Sequence, residues 1–276
     1  MGSNSISEDL MFNTIRLKTK NGSLGTGFFF NFLIDDSIIP AIITNKHVIN
    51  NNPKEDVTFF LHLKEKNKST EENFQVNYCT DWIFHPTQDL CMAFANPMFE
   101  KVKDLTKKDV FFKAINEGFV YNESQLKELR ALEEVVMVGY PIGLWDKNNN
   151  LPIFRTGSTA SHPAYDFNEK GIGLVDMACF PGSSGSPIYI MNEISYIDKK
   201  GTIHMGSSRL IFLGILYSGA SLDAKGEILV ESIPTQQTIF SKTKLMTNLG
   251  YYIKAHELSE FRETIKQKLN SVIRKE

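Results

Sequence analysis

Short apolar runs separated by turn-forming residues recur along almost the whole chain, and this texture restricts it to an all-β architecture. Many such runs in succession make a barrel or a sandwich. In the first half they cover residues 12–18, 28–34, 38–44, 57–63, 74–78 and 90–94, with Asp35-Asp36-Ser37 as a hairpin turn. Residues 64–73, rich in lysine and glutamate, are expected to form an exposed loop. Residues 96–109 are charged and without period, the texture of a linker to a second set of strands. That set comprises residues 110–115, 135–139, 153–161, 173–177, 186–190, 209–217 and 228–233, and no internal repeat is evident.

Two segments depart from the strand texture. Asn122, with Gln125 three positions on, precedes Leu126, Leu129 and Leu132, the pattern of a capping box opening a short helix. Residues 256–274 place Leu258, Phe261, Ile265, Leu269, Val272 and Ile273 on one helical face, so a C-terminal helix is expected to pack on the core.

Composition narrows the function classes. Apolar content of 42% supplies a core, while 22% charged residues and a net charge of −2 argue against a nucleic-acid binder, which carries a basic excess. The longest apolar runs, such as 38–43, are far too short to span a membrane. The N-terminal residues have neither the basic nor the apolar region of a signal peptide. Three cysteines, Cys79, Cys91 and Cys179, make no disulfide framework. The expectation is a cytoplasmic protein without disulfides.

The segment Phe180-Pro181-Gly182-Ser183-Ser184-Gly185-Ser186-Pro187 sets serines on a tight glycine turn ahead of an apolar strand. A serine hydroxyl is a poor nucleophile unless a base, an orienting acid and an oxyanion site accompany it. Candidates for the first two lie upstream. His47 ends the apolar run Ile42-Ile43-Thr44-Asn45-Lys46, and Asp89 opens Leu90-Cys91-Met92-Ala93-Phe94. His47, Asp89 and Ser184 stand 42 and 95 positions apart. The chymotrypsin-type triad has this order with gaps of about 45 and 93, and other triad enzymes use other orders. Asp81 is the rival acid but lacks the apolar strand entry of Asp89; His85-Pro86 reads as a turn beside Asp89, and His62, His162, His204 and His256 have no matching context.

With these residues, Gly25-Thr26-Gly27-Phe28, Val138-Gly139-Tyr140-Pro141-Ile142-Gly143 and Leu213-Gly214-Ile215-Leu216-Tyr217 complete a set that resembles the trypsin-like serine peptidases. The bacterial DegP/HtrA-like branch, here without its PDZ module, is the nearest likeness. The resemblance implies two six-stranded antiparallel β-barrels of chymotrypsin type with a C-terminal helix and a short inserted helix. The implied divisions are a tail at 1–10, a first barrel at 11–95, a linker at 96–109, a second barrel at 110–255 and the helix at 256–276. It implies Ser184 as nucleophile, His47 as general base, Asp89 as orienting acid, and the N–H groups of Gly182 and Ser184 as oxyanion hole. Ala178 is placed at the base of the primary pocket, and Tyr217, Ser218 and Gly219 at its wall and at the edge that pairs with substrate. With no carboxylate at Ala178, cleavage after an apolar or small residue is expected. No cofactor and no metal are called for. The expected partners are a protein or peptide substrate and a regulatory protein, with neither nucleic acid nor membrane. The competing reading is a silent peptide-binding module of the same fold.

Two positions differ from the family pattern. Ser183 stands where trypsin-like zymogens carry an aspartate for a newly cut N-terminus, so activation by that route is not expected. Ser186 stands where the family generally has glycine, which puts the geometry of the turn in question.

Overall fold

The computed structural model describes residues 5–65, 68–227 and 240–273. Helix α1 (Ile6–Met11), capped by the Ser5 hydroxyl, leads into strands β1 (Thr14–Thr19), β2 (Leu24–Ile34), β3 (Ser37–Thr44), β4 (Asp56–Glu65), β5 (Lys68–Cys79), β6 (Ile83–Phe84) and β7 (Cys91–Phe94). Their hydrogen-bonded path runs β5-β4-β1-β2-β3-β7-β6 and does not close among the described residues. After helix α2 (Asn96–Thr106), β8 (Val110–Phe111) pairs with β4 and β9 (Ile115–Asn116) lies parallel to β2, giving nine strands in the sheet.

Four expectations are revised in this half. The stretch 64–73 is mostly strand, because β4 and β5 continue as a hairpin with Lys64 opposite Ser69. The linker is the helix α2, whose Met98 and Val102, four apart, bury against the sheet. Residues 110–115, assigned to the second barrel, belong to the first sheet, where Val110 and Ile115 are buried. The N-terminal tail is helical from Ile6, anchored by buried Leu10.

The capping box is formed as expected, with Asn122 and Gln125 exchanging hydrogen bonds at the start of α3 (Glu123–Lys127). Leu126 and Leu129 are buried, but Leu132 lies beyond the helix and is exposed. Then β10 (Glu134–Gly139), β11 (Ile153–Thr159), β12 (Ile172–Asp176), β13 (Pro187–Asn192), β16 (Arg209–Glu227) and β17 (Phe240–Lys254) close into an antiparallel barrel. Between β13 and β16 stands a separate hairpin, β14 (Ser195–Ile197) with β15 (Ile203–Met205). Strand β17 has no counterpart among the sequence expectations, since its first half, Phe240-Ser241-Lys242-Thr243-Lys244, is polar and lacks an apolar run. The expected strand at 228–233 lies outside the described residues. A 3-10 segment, Ala255–Glu260, and helix α4 (Phe261–Ile273) finish the chain, with Leu258, Phe261 and Ile265 buried as the periodicity predicts.

Alternation along the strands decides where the cores lie. On β2, Phe28, Phe30 and Phe32 face the barrel, while Phe29 points into the interior of the first sheet. On β13, Ile188 and Ile190 fill the barrel and Tyr189 faces the seam. One apolar cluster therefore joins the two halves and α4, with the Phe28 and Phe212 rings 5.3 Å apart and Phe32 against Phe261 at 6.4 Å. Each fully buried phenylalanine contributes about 2–3 kcal/mol to that seam. Tyr189 Oη also donates to Asn13 Oδ1 across it, at 2.6 Å.

Candidate active site

Strand β3 ends at Thr44 in the seam, and the chain turns at once into a 3-10 turn, His47–Ile49. This turn lifts His47 out to solvent while Val48 and Ile49 bury behind it. Asp89 precedes β7, the hydrogen-bonded neighbour of β3, with Thr44 opposite Cys91. The two side chains meet: Asp89 Oδ2 lies 2.5 Å from His47 Nδ1, and Asp89 Oδ1 accepts the His47 backbone N–H at 3.2 Å. Asn45 Nδ2 donates to the Asp89 carbonyl at 2.8 Å. A carboxylate oxygen can only accept, so the Nδ1 nitrogen carries a proton, and in the neutral ring Nε2 presents a lone pair.

Asp81, the rival acid, is an exposed partner of Lys54 at 3.0 Å. Of the other histidines, His62 is buried and bonds the Asn150 carbonyl at 3.1 Å. His85 is buried against Glu257, and His204 pairs with Asp198. His162 and His256 lie elsewhere on the barrel half, His162 bonding the Ala164 N–H and His256 beside Glu257.

Ser184 sits in the connection from β12 to β13. Phe180-Pro181-Gly182-Ser183 form a type II turn, with Ser183 N–H donating to the Phe180 carbonyl and Gly182 at φ 90°. Proline at the second position and glycine at the third are what this turn demands. Gly185, also left-handed at φ 85°, passes so close to β2 that a methyl group there would fall 1.9 Å from the Thr26 carbonyl. The connection is tied to both halves. Thr26 N–H donates to the Ser184 carbonyl at 2.9 Å, and Gly185 N–H donates to Leu216 of β16 at 2.8 Å. Thr44, three residues before His47, donates its hydroxyl to the Thr26 carbonyl at 2.7 Å. The serine turn and the histidine turn are thereby pinned to the same end of β2 and β3. No hydrogen bond joins Ser184 Oγ to His47 among the described residues; such bonds often tighten only in a substrate complex.

Within 182–186, the N–H groups of Ser183, Gly185 and Ser186 are donated to carbonyls, whereas those of Gly182 and Ser184 meet no acceptor among the described residues. These are the two donors nominated as an oxyanion hole. Ser186 is buried and its hydroxyl finds no partner among the described residues. Room for it comes from Gly139, where a methyl group would fall 2.0 Å from Ser186 Oγ. Ser183 is likewise buried, its hydroxyl without a partner among the described residues.

The proposed pocket residues lie just past β12 and on β16. Ala178 is half-buried just past β12, and Cys179 beside it packs on Gly250 of β17. Gly250 pairs with Val175 on one side and Gly219 on the other. Burial pushes the Cys179 thiol up to about 11. On β16, register shifts leave Tyr217 unpaired between Leu216 and Ser218, with its ring 6.4 Å from Tyr251. Burial raises the Tyr217 hydroxyl, and the charges of Glu169, Tyr251 and Asp89 raise it further, which sets this strand beside the acid. Pairing of β13 with β16 ends at Ile215, so the opposite edge of 217–219 has no strand neighbour among the described residues.

Sequence reasoning gave no role to Thr26, Asn45 or Ile142. Thr26 lies inside a quoted motif, but its contacts are made across the seam. Compared with family models and with curated proteins, the sequence matches none.

Proposed function

We propose that this protein is a serine endopeptidase of the trypsin-like class, with the first sheet as the counterpart of one barrel and the closed barrel as the other. The observation that carries this reading is the two-point hold of Asp89 on His47, through Nδ1 and the backbone N–H, beside a serine turn with two unused N–H donors. Ser184 attacks the scissile carbonyl and His47 Nε2 takes its proton, later giving it to the leaving amine. Asp89 fixes the imidazole tautomer and stabilises the imidazolium. The Gly182 and Ser184 N–H groups receive the developing oxyanion, where one donor is worth about 3 kcal/mol. The free edge at 217–219 takes the substrate backbone as an added strand, and a pocket without a carboxylate at Ala178 takes an apolar or small side chain.

A fluorophosphonate probe tests the reading. Wild-type protein is expected to be labelled at one serine, and Ser184→Ala to abolish labelling. Equal labelling of the two, or none of the wild type, returns the protein to the class of silent binding modules.

A further inference from the structure

Resting on that peptidase reading, we propose that Thr26 and Ile142 are positioning residues that hold the Pro181-Gly182-Ser183-Ser184 turn in its donor-out state. A planar trans peptide points its C=O and N–H in opposite directions, so whatever holds a carbonyl also aims the next N–H. The Pro181 carbonyl accepts from Ile142 N–H at 2.6 Å, which turns the Gly182 N–H away from it. The Ser183 carbonyl accepts from Ser186 N–H at 3.0 Å, which does the same for Ser184 N–H. The carbonyls between and after these are both held by Thr26: its Oγ1 donates to Gly182 at 3.0 Å and its N–H to Ser184 at 2.9 Å. Every carbonyl from Pro181 to Ser184 is thus occupied.

The alternative is close at hand. Rotating the central peptide of a type II turn gives type I, with a negative φ at the third residue and its N–H on the other face. For Pro181-Gly182 that rotation withdraws one oxyanion donor and breaks the Ile142 bond. Ile142 itself sits at φ 53°, ψ 21°, a left-handed conformation that is an outlier for a β-branched side chain and is strained. Its side chain is 60% exposed, so core packing does not demand this conformation.

The segment after Ile142 is fastened to the first sheet. The Arg16 guanidinium lies 3.6 Å over the Trp145 ring, His62 bonds the Asn150 carbonyl, and Asn73 Nδ2 bonds the Asn148 carbonyl at 3.0 Å. Thr26 is fully buried, and its hydroxyl also accepts Tyr140 N–H at 3.1 Å. Removing that hydroxyl orphans a buried donor, the Tyr140 N–H, and a buried acceptor, the Gly182 carbonyl. The clamp closes on the turn from both halves of the molecule.

The test uses an alkyl fluorophosphonate, in which Ser184 Oγ bonds to phosphorus, fluoride leaves and His47 takes the hydroxyl proton. The phosphoryl oxygen gains negative charge in the transition state, as a substrate oxyanion does. Thr26→Val keeps the shape and loses the hydroxyl; replacing Ile142 by its α-hydroxy acid turns the preceding peptide bond into an ester, which removes the N–H and keeps the side chain, whereas proline could not adopt the positive φ at this position. Both are expected to lower the maximal labelling rate at least about 10-fold, toward the 10²-fold loss of a whole donor. The half-saturating probe concentration stays near wild type at a temperature where both variants are folded, which a purely structural role would not produce. Thr26→Ser, which keeps a hydroxyl, and Ile142→Gly, which keeps the N–H, label at close to the wild-type rate. If wild type labels through Ser184 while Thr26→Val and the Ile142 ester label at its full rate, the clamp is refuted and the peptidase reading stands. If Thr26→Val fails to fold, the Ile142 ester decides alone. Wild type that never labels through Ser184 removes the peptidase reading and the clamp with it.

Discussion

Replacing Gly139 by alanine tests how the serine turn is accommodated. The added methyl group would lie 2.0 Å from Ser186 Oγ, 3.1 Å from Ser186 Cβ and 2.9 Å from Thr26 Oγ1. All three atoms belong to fully buried residues, so neither neighbour can swing into solvent. Overpacking of this kind costs about 1–3 kcal/mol, and contacts this short belong at the upper end. At about 2–4 °C per kcal/mol for a chain of this size class, the melting temperature should fall by about 6–12 °C. Ser186→Gly alone removes a buried hydroxyl that has no partner, a relief of about 1–3 kcal/mol. Against it stands an entropy cost of about 0.5–1 kcal/mol for the new glycine, so this variant should be as stable as wild type or more stable by up to about 2.5 kcal/mol. In the double variant the worst contact is gone and only the Thr26 approach remains. The two substitutions should therefore couple favourably by at least about 1.5 kcal/mol in denaturant unfolding, within the range seen for residues in contact. Additivity to within about 0.5 kcal/mol would refute the claim that Gly139 exists to make room for Ser186.

Asp89→Asn should leave the fold intact, because the amide oxygen can still accept the His47 backbone N–H. It stabilises the wrong imidazole tautomer, and the rate of labelling by the fluorophosphonate should drop about 10⁴-fold, as for the same change in the trypsin triad; a loss below 10-fold would remove Asp89 from its role. The loop before Asp89 carries its own pH dependence. His85 Nδ1 accepts the N–H groups of Thr87 and Gln88, at 3.2 and 2.9 Å, so the ring must be neutral, and burial lowers its pKa despite the opposing pull of Glu257. A histidine whose folded pKa is depressed contributes its full stability above the unfolded value of about 6.5 and loses it as pH falls toward the folded pKa. Melting temperature should decline below pH 6.5, and His85→Gln should flatten that decline in part, since burial lowers His62 in the same direction. An unchanged pH profile in His85→Gln would contradict the assignment.

The parts of the fold that were legible in the sequence are those whose signal is local. The phenylalanines of β2, the capping box at Asn122 and the periodicity at Leu258, Phe261 and Ile265 each declare their element through near neighbours. The misread segments are those where pairing overrides texture. Residues 64–73 look like a loop because their sequence is rich in lysine and glutamate, yet β4 and β5 pair there, with Lys64 opposite Ser69. The start of β17 has no apolar alternation of its own, and its strand conformation follows from β16 alongside it. For the site, order and spacing name His47, Asp89 and Ser184, since a turn chemistry and a strand entry mark each one. Thr26 and Ile142 escape because their roles reside in a hydroxyl aimed across the seam and in a backbone N–H, neither of which a residue type reveals.

The proposed site is divided so that neither half of the protein can complete it. The first sheet supplies His47, Asp89 and Thr26, and the barrel supplies Ser184, the donor peptides and the free edge at 217–219. Their mutual placement depends on the aromatic cluster around Phe28, Phe30, Phe212 and Tyr189, which is dense and apolar and leaves little freedom to slide. The polar ties across the seam are few but well directed: Thr26 to Gly182 and Ser184, Tyr140 to Thr26, and Tyr189 to Asn13. Apolar packing fixes the distance between the halves, whereas these hydrogen bonds fix the orientation of individual peptides. An orientation held by single bonds against a strained Ile142 can change by one peptide rotation without disturbing the core. Whether the turn is donor-out is thus separable from whether the protein is folded.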